Sequence, residues 1–307
     1  MSDSLPYLII VTGPTASGKT ALAIALAKHY ESVVLSADSR QFYKGMAIGT
    51  AQPNEAELAS VKHYFIADRN VDSPVNAGSY ADEALALLDT LFQQHKVVIV
   101  CGGTGLYIRA LIDGLDNFPD IPENYREELS EELAKDGLEK LLKELTEKDP
   151  SYASQVDPHN PHRILRALEV IRFTKQAYSS FLQQTPQPRN FKAIQIAIDL
   201  DRGVLYDRIN QRVDQMMADG LEEEVLALKD HFHLNALQTV GYKEWLEYFD
   251  GSIDSNKLVE NIQQHSRNYA KRQITWFKRD ARVHWIKGAD VAQAITICNH
   301  LMQAHEH

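Results

Sequence analysis

The sequence predicts an α/β fold, a parallel sheet with helices on both faces, plus an all-helical insertion. Three observations predict it. Short apolar runs rich in β-branched residues recur along the chain, helical patterns separate them, and a glycine-rich phosphate motif follows the first run. Parallel strands need crossover connections, and the helical stretches between the runs supply them. The length of 307 residues suits one large domain or a domain that carries an insertion.

Five apolar runs are predicted to form the strands of this sheet. They cover residues 7–11, 33–35, 97–101, 193–200 and 283–286. Helical patterns cover 19–29 and dominate 201–248 and 256–279. Ligands of such sheets bind beyond the carboxyl ends of the strands. Because three loops with unusual chemistry follow the first three runs, we expect the functional site at that edge.

The strand pattern disappears between about residues 115 and 190. This stretch is helical and charged, and Asp-Pro and Asn-Pro steps interrupt it before it closes at Thr185-Pro-Gln-Pro. We interpret residues 115–190 as a helical insertion domain. The core is then formed by residues 1–114 and 191–307.

The composition is typical of a globular protein, with 44% hydrophobic and 24% charged residues. The chain has no apolar run of membrane-spanning length, no secretory or transit signal, and only two cysteines, Cys101 and Cys298. We therefore expect a cytoplasmic protein without membrane association.

The net charge of −10 argues mildly against a nucleic-acid partner, but the charge is segregated. Residues 123–149 contain ten acidic and five basic side chains, whereas residues 267–282 contain six basic and one acidic. A local polyanion site is therefore compatible with this acidic protein. The alternative interpretation of the basic stretch is a solvated helix face.

The phosphate motif is Gly13-Pro-Thr-Ala-Ser-Gly-Lys-Thr20, with an apolar strand before it and a helix after it. Loop N–H groups and the helix N-terminus favour phosphate oxygens, while Lys19 adds a positive charge and Thr20 a hydroxyl for Mg²⁺. The motif predicts a P-loop NTPase-like core that binds a phosphoanhydride or a diphosphate, with Mg²⁺ as cofactor. The expected diphosphate-binding residues are Gly13, Thr15, Ala16, Ser17, Gly18, Lys19 and Thr20.

Two further loops and one helix carry candidate catalytic residues. Asp38 follows the second apolar run, where a carboxylate serves as a magnesium ligand, a general base or a helix N-cap. The third run ends in Gly102-Gly103-Thr104-Gly105, which offers a hydroxyl but no acid, and this weakens an ATP-hydrolase interpretation. Arg208 and Arg212 are spaced to share a helix face, either as an anion site or as a solvated, ion-paired face.

Seven motifs, in order along nearly the whole chain, resemble those of the bacterial tRNA dimethylallyltransferases, also called tRNA isopentenyltransferases. They are Gly13-Pro-Thr-Ala-Ser-Gly-Lys-Thr20, Asp38-Ser-Arg-Gln41, Gly49-Thr-Ala-Gln-Pro53, Gly102-Gly-Thr-Gly-Leu-Tyr107, Arg163-Ile-Leu-Arg-Ala-Leu-Glu-Val170, Gln238-Thr-Val-Gly-Tyr-Lys-Glu244 and Lys271-Arg-Gln-Ile-Thr-Trp-Phe277. The chain departs from the family at Gln52, where Lys is expected. This change affects one expected phosphate contact and leaves the chemistry intact.

The resemblance implies Mg²⁺-dependent transfer of a dimethylallyl group from dimethylallyl diphosphate to the exocyclic amine of the tRNA adenine 3′-adjacent to the anticodon. It implies that Asp38 accepts the amine proton, Thr104 lies at the reacting centre and Arg212 holds the leaving diphosphate. The helical insertion would grip the anticodon arm, and we expect a monomer. The implied tRNA-binding residues are Asp38, Ser39, Arg40, Gln41, Arg126, His162, Arg163, Arg166, Gln238, Gly241, Tyr242, Lys243, Lys271, Arg272, Gln273, Trp276 and Lys278.

Three other functions compete with this one. They are prenyl transfer to a free adenine nucleotide, a small-molecule kinase whose acceptor is oriented by Asp38, and a non-catalytic RNA-binding NTPase switch. The long insertion and the basic C-terminal helix favour tRNA over a free nucleotide. In that helix, residues 271, 278 and 282 follow a 7-then-4 spacing, which predicts one phosphate-tracking face. Trp276 and Phe277 either pack the helix onto the core or stack on bases.

Overall fold

The computed structural model describes residues 5–182 and 185–304, and in this part of the chain six strands form one all-parallel sheet. The strands are β1 (Tyr7–Thr12), β2 (Val34–Ser36), β3 (His63–Tyr64), β4 (Val97–Cys101), β5 (Lys192–Asp199) and β6 (Val283–Lys287). Their order across the sheet is β3-β2-β4-β1-β5-β6. This arrangement confirms the predicted α/β fold. The five predicted strands match to within one residue at each end, and only the two-residue β3 was missed.

The described residues also contain thirteen α-helices. They are α1 (Lys19–His29), α2 (Glu55–Ser60), α3 (Ala77–Leu91), α4 (Gly105–Asp113), α5 (Asn124–Asp136), α6 (Leu138–Lys148), α7 (Pro150–Ala153), α8 (Pro161–Thr174), α9 (Arg202–Ala218), α10 (Leu221–Ala227), α11 (Trp245–Phe249), α12 (Ser255–Phe277) and α13 (Val291–Ala304). Among the residues described, no helix combines the length and the apolar character needed to cross a membrane.

The centre of the sheet is buried on both faces. Every residue of β1 is buried, as expected for a parallel strand covered by helices on either side. Ile9 and Val11 belong to an apolar cluster that includes Leu22 and Leu26 of α1 and Cys298 of α13. Full burial of each such aliphatic side chain contributes about 1.5–3 kcal/mol. This core fixes the ends of β1, β2 and β4, from which the candidate site is built.

The chain divides into two compact units, a core unit (Met1–Ile112 with Pro188–His307) and an insertion unit (Asp113–Gln187). The division lies two and three residues from the boundaries predicted at 115 and 190. The insertion unit has its own apolar cluster, centred on Leu141, Leu145, Ile164 and Leu168.

Local signals explain how the insertion unit is built. The longest of its helices, α8, begins at Asn160-Pro161. The Asn160 side chain accepts a hydrogen bond from Arg163 N at 3.2 Å, and Pro161 occupies the first helical position. The two ends of the unit lie side by side, because Gln187 N donates to Asp113 O at 2.8 Å.

One detail of the basic C-terminal helix was predicted wrongly. Helix α12 ends at Phe277, and the chain turns at Asp280 before it enters β6. Arg282 therefore lies beyond the helix, where its guanidinium pairs with Asp280 at 2.7 Å. It does not continue a helical face from Lys271 and Lys278.

Candidate active site

The phosphate loop joins β1 to α1 and places its functional groups at the carboxyl edge of the sheet. The Lys19 ammonium donates to Pro14 O at 2.7 Å. Burial lowers the pKa of Lys19 to about 8, although the nearby Cys101 and Asp38 oppose this shift. The Ser17 hydroxyl is buried and has no hydrogen-bond partner in the described part of the chain. A loop with a donor-rich helix N-terminus and an unsatisfied hydroxyl is suited to an oxyanion.

Asp38 lies two residues after the end of β2. Its Oδ1 accepts a hydrogen bond from Arg40 N at 3.0 Å, and the residues that follow form turns rather than a helix. The N-cap alternative is therefore wrong. Burial raises the pKa of the Asp38 carboxyl, while the Arg40 N–H and the Lys19 charge act in the opposite direction. A carboxylate with a raised pKa is a better proton acceptor than an ordinary aspartate.

The loop after β4 brings Thr104 next to Asp38. Thr104 Oγ1 accepts a hydrogen bond from Ser39 N at 3.0 Å and donates to Ser39 Oγ at 3.3 Å. Thr104 N also donates to Ala37 O at 3.2 Å. Cys101, at the end of β4, does not offer a thiolate, because burial raises its pKa to about 12.

Asp38, Thr15 of the phosphate loop, Arg212 of α9 and Tyr269 of α12 line one pocket with a volume of about 90 Å³. Burial lowers the pKa of Arg212, and no salt bridge to this side chain is found among the described residues. Arg208, one turn earlier, is exposed and does not line the pocket. A partly buried guanidinium without a carboxylate partner is suited to binding an anion.

The same pocket has an apolar wall. It is formed by Ile209, Val213, Met216, Val240 and Ile262. Burial raises the pKa of the Tyr269 phenol, so this side chain is neutral at physiological pH. The pocket therefore combines a carboxylate, cations and a surface for a short hydrocarbon group.

Glu224 of α10 forms hydrogen bonds with two loops that line the pocket, at residues 48–52 and 239–242. Its carboxylate accepts hydrogen bonds from Ile48 N at 2.8 Å, from Gly49 N at 2.9 Å and from the Tyr242 hydroxyl at 2.6 Å. The side chain at the family departure, Gln52, lies in the first of these loops. Its amide donates to Gln41 O at 3.1 Å and to Tyr43 O at 2.9 Å. Gln52 therefore supports the loop, where the sequence suggested only a changed phosphate contact.

The predicted tRNA-binding residues of the core unit are exposed, partly buried or buried. Lys243, Lys271, Arg272 and Lys278 are exposed, and so is Gln238, whose amide donates to Phe232 O. Ser39, Arg40 and Gln41 lie beside Asp38. The Arg40 guanidinium donates a hydrogen bond to Asn235 O at 2.7 Å. The Gln41 side-chain amide donates one to Ala51 O at 3.0 Å. The buried set is Gly241, Tyr242 and Gln273.

Two of the buried residues have side chains bonded within the core unit. Tyr242 is 0% exposed and its hydroxyl is bonded to Glu224. Gln273 is 5% exposed and bonds to Thr15 of the phosphate loop and to Gly103 of the loop after β4. In this structure both side chains support the site from within, and their contacts with tRNA stay a prediction. Trp276 is half-buried and packs against Gly105, where an added Cβ would lie 2.1 Å from Trp276 Nε1. This packing agrees with the interpretation that Trp276 holds the helix onto the core.

In the insertion unit, His162 and Arg163 are exposed at the start of α8. Arg126 and Arg166 both bond to the buried carboxylate of Glu169, at 2.8 and 3.1 Å. Their side chains remain 46% and 41% exposed. One shared carboxylate thus orients two guanidinium groups and leaves further N–H donors of each available.

Sequence reasoning missed three residues that shape the site: Tyr269, Glu224 and Glu244. Glu244 accepts from Gly241 N at 2.9 Å and pairs with His265 at 2.6 Å. For Tyr269 a signal existed, since it lies four residues before Gln273 and therefore on the same helix face. Glu224 gave no local signal, because its partners Ile48 and Gly49 are 176 and 175 residues away.

Comparisons with known proteins agree with this geometry. A sequence model of the IPP transferase family matches residues 41–280. The tRNA dimethylallyltransferase of Cytophaga hutchinsonii is 45% identical over 99% of this chain and 100% of its own length. That of Christiangramia forsetii is also 45% identical, over 92% of this chain and 93% of its own.

A solved structure is similar as well. The full-length tRNA isopentenylpyrophosphate transferase of Bacillus halodurans is 33% identical, with a TM-score of 0.71, over 98% of this chain and 96% of that one. The similarity therefore covers nearly the whole chain, including every motif that surrounds the pocket. The chain belongs to the IPP transferase family, together with these tRNA dimethylallyltransferases.

Proposed function

We propose that this chain transfers the dimethylallyl group of dimethylallyl diphosphate to the exocyclic amine of the adenine 3′-adjacent to the anticodon in tRNA. The products are N6-dimethylallyladenosine and diphosphate. The observation that carries the proposal is the convergence of Asp38, Arg212 and the phosphate loop on one pocket in a chain of this family. The carboxylate supplies a base, and the loop and the guanidinium bind an anion.

The bonding changes define what the residues must do. The bond between the allylic carbon and the diphosphate oxygen breaks, and a bond from the adenine nitrogen to that carbon forms. The adenine amine is a weak nucleophile, because its lone pair is delocalised into the ring. The allylic carbon compensates by ionising easily, so negative charge grows on the departing diphosphate. The amine nitrogen becomes cationic and must lose a proton.

Asp38 is the proton acceptor in this proposal. Even with its raised pKa, a carboxylate is too weak to deprotonate a neutral amine before attack. It acts as the nitrogen acquires positive charge, first orienting the N–H bond and then taking the proton. Thr104, whose hydroxyl accepts a hydrogen bond from Ser39 N beside Asp38, is assigned to the reacting centre in this proposal.

Lys19 and Arg212 bind the diphosphate and stabilise the charge that develops on it. Lys19 is held before the substrate arrives by its bond to Pro14 O, and Arg212 is partly buried at the pocket. Preorganised cations of this kind stabilise the transition state more than the ground state, because the leaving group gains charge as the bond breaks.

Mg²⁺ fits the donors of the phosphate loop. The half-buried Thr20 and the buried, unpartnered Ser17 provide hydroxyl oxygens beside the expected diphosphate. Mg²⁺ takes most of its remaining ligands from substrate phosphates and water, so it needs few protein carboxylates. When bound, the ion would neutralise charge on the diphosphate.

The tRNA acceptor is supported by the exposed basic residues of each unit. Single-stranded loops expose bases that a protein can take out of the stack at a cost of a few kcal/mol. Lys271 and Lys278 in the core unit, and His162 and Arg163 in the insertion unit, are placed on the surface where phosphates can reach them. We expect the enzyme to act as a monomer in the cytoplasm. Light scattering after gel filtration measures the molar mass and so tests the monomeric state.

The rival functions differ in donor or acceptor, and one experiment separates them. The purified chain is incubated with Mg²⁺ and either labelled dimethylallyl diphosphate or labelled ATP, with an anticodon stem-loop and AMP both present. We expect label from the dimethylallyl donor on the stem-loop adenine and none on AMP. Label on AMP alone would identify a free-nucleotide prenyltransferase, and phosphate transferred from ATP to an acceptor would identify a kinase. Phosphate released from ATP without transfer to either acceptor would identify an NTPase switch.

The lowered pKa of Lys19 predicts a pH dependence of diphosphate binding. Below about pH 8 the side chain carries its positive charge, and above it the neutral form grows. Affinity for inorganic diphosphate should therefore fall by up to about tenfold per pH unit above pH 8 relative to Lys19→Arg, which stays charged. Calorimetric titrations between pH 6.5 and 9.5 give the diphosphate affinity of each protein. In the ratio of the wild-type affinity to that of Lys19→Arg, the effect of the ligand's own ionisation cancels. A ratio independent of pH would contradict the role of Lys19.

Lys271 and Lys278 are seven residues apart and are expected to contact tRNA phosphates. Each change to alanine should weaken binding of a cognate and a scrambled anticodon stem-loop equally, and lower the salt slope by about one. Lys257→Ala is the matched control, since Lys257 is also exposed on α12 but pairs with Glu260 at 3.1 Å. Unchanged slopes for both variants would place the main phosphate contacts elsewhere, for example at Arg163 and Arg166.

A further inference from the structure

Gln273 of α12 joins the phosphate loop to the loop after β4 by its side-chain amide. Its Oε1 accepts a hydrogen bond from Thr15 N in the phosphate loop at 2.8 Å. Its Nε2 donates to Gly103 O, in the loop that carries Thr104, at 3.0 Å. The side chain is only 5% exposed. One residue thus bonds to the loop expected to hold the diphosphate and to the loop beside the expected base.

The two bonds require an amide. A backbone N–H can only donate and a carbonyl can only accept, so the bridging side chain must present one acceptor and one donor. Glutamate offers no donor when ionised, and an aliphatic side chain leaves both backbone groups unsatisfied. Glycine at position 103 is part of the same arrangement, because a Cβ there would lie 2.1 Å from Gln273 Nε2.

The sheet already links these loops closer to the strand ends. Gly102 N donates to Val11 O at 3.1 Å, and the Thr12 hydroxyl donates to Gly102 O at 3.1 Å. The Gln273 bridge lies farther out, at Thr15 and Gly103, where each loop is one to five residues from its functional groups. It therefore adds a link between the two loops beyond those that the strand ends supply.

We propose that Gln273 is a positioning residue that holds the phosphate loop and the Thr104 loop at the spacing required for transfer. The proposal rests on the function proposed above, in which one loop holds the diphosphate and the other lies beside Asp38. The reacting carbon and nitrogen must approach to about 3–3.5 Å, and a displacement of about 1 Å can cost about 100-fold in rate. Gln273 thus acts on catalysis through the two loops and without touching the tRNA.

The test compares Gln273→Glu with Gln264→Glu. The first keeps an oxygen that faces Thr15 N, replaces the donor to Gly103 O by a second oxygen and adds a negative charge. The second adds the same charge at an exposed position of the same helix. We expect Gln273→Glu to lower the single-turnover rate at saturating substrates by about 100-fold. Its affinity for inorganic diphosphate should fall, while its affinity for the anticodon stem-loop stays within about threefold of that of Gln264→Glu.

A loss of stem-loop affinity with a normal rate at saturation would make Gln273 a tRNA contact and overturn the proposal. A rate within threefold of wild type would overturn it as well. If the wild-type protein itself transfers no dimethylallyl group, the proposed function fails. In that case the diphosphate affinities of Gln273→Glu and Gln264→Glu still test whether the Gln273 side chain supports the phosphate loop.

A second route leaves residue 273 unchanged. Gly103→Ala displaces the Gln273 amide by its added Cβ and should reproduce the slow transfer with normal stem-loop affinity. Combined with Gln273→Ala, it should cost little more than Gln273→Ala alone, because the group that the Cβ meets first is then gone. Additive losses would show that Gly103 acts independently of Gln273. Gly103→Ala, alone and combined with Gln273→Ala, tests the proposal even if Gln273→Glu proves too unstable to assay.

Discussion

Asp38→Asn is expected to lower the single-turnover rate of dimethylallyl transfer by about 10²–10⁴-fold, the usual cost of losing a general base. Amide and carboxylate are nearly isosteric, and the amide oxygen can still accept the hydrogen bond from Arg40 N. The pocket should therefore keep its shape, and the affinity for the stem-loop should change little. Rapid-quench measurements at saturating substrates isolate the chemical step.

The pKa of Asp38 also predicts how this variant behaves on heating. Because burial raises that pKa, the ionised carboxylate costs the folded state stability at neutral pH, and this cost disappears as the pH falls through the raised pKa. Replacing it by a neutral amide is therefore not expected to lower Tm at pH 7. Asp89→Asn, an exposed change on α3, serves as control. Transfer by Asp38→Asn within threefold of wild type would exclude Asp38 as the base.

Arg212→Ala is expected to reduce both diphosphate affinity and the rate with substrate bound. Removing a preorganised donor from a developing anion typically costs about 10²–10³-fold, or about 2.7–4 kcal/mol. Arg212→Lys should recover only part of this loss, because an ammonium lacks the bidentate fork. Diphosphate titrations and single-turnover rates separate binding from chemistry.

Arg208→Ala is the matched control for this prediction. Arg208 lies one turn away on α9, carries the same charge, and does not line the pocket. It should keep the diphosphate affinity and rate of the wild-type protein. If Arg212→Ala lowers only Tm and keeps normal turnover, its role is structural.

The sequence was sufficient to predict the sheet because its signals are local. Runs such as 97–101 are apolar throughout, short, rich in β-branched residues and followed by glycine, which is typical of a strand buried on both faces. The two-residue β3 is too short to give any pattern. The loops at the strand ends carried the candidate chemistry, so the pocket could be expected at the carboxyl edge.

The roles within the motifs could not be predicted, because a motif does not state which way each side chain points. Gln273 lies between exposed basic residues, yet it faces inward, since helical geometry turns about 100° per residue. Tyr242 lies in a turn and is buried by a different contact, with a glutamate 18 residues earlier in the chain. The end of α12 was missed because Lys278 and Arg279 are good helix formers. The helix nevertheless ends at Phe277, because the chain turns over the next residues and enters β6 at Val283.

The hydrogen bond between Gln187 and Asp113 has a consequence for how this protein was assembled during evolution. The ends of the insertion unit lie side by side, and no strand of the sheet runs through the unit. A segment of that kind can be acquired by a single recombination event at a surface loop of an ancestral core, without dividing any strand. Its cluster around Leu141 and Ile164 can then change sequence independently of the sheet. Substitutions within this cluster are therefore expected to leave β1, β2, β4 and the residues at their ends unchanged.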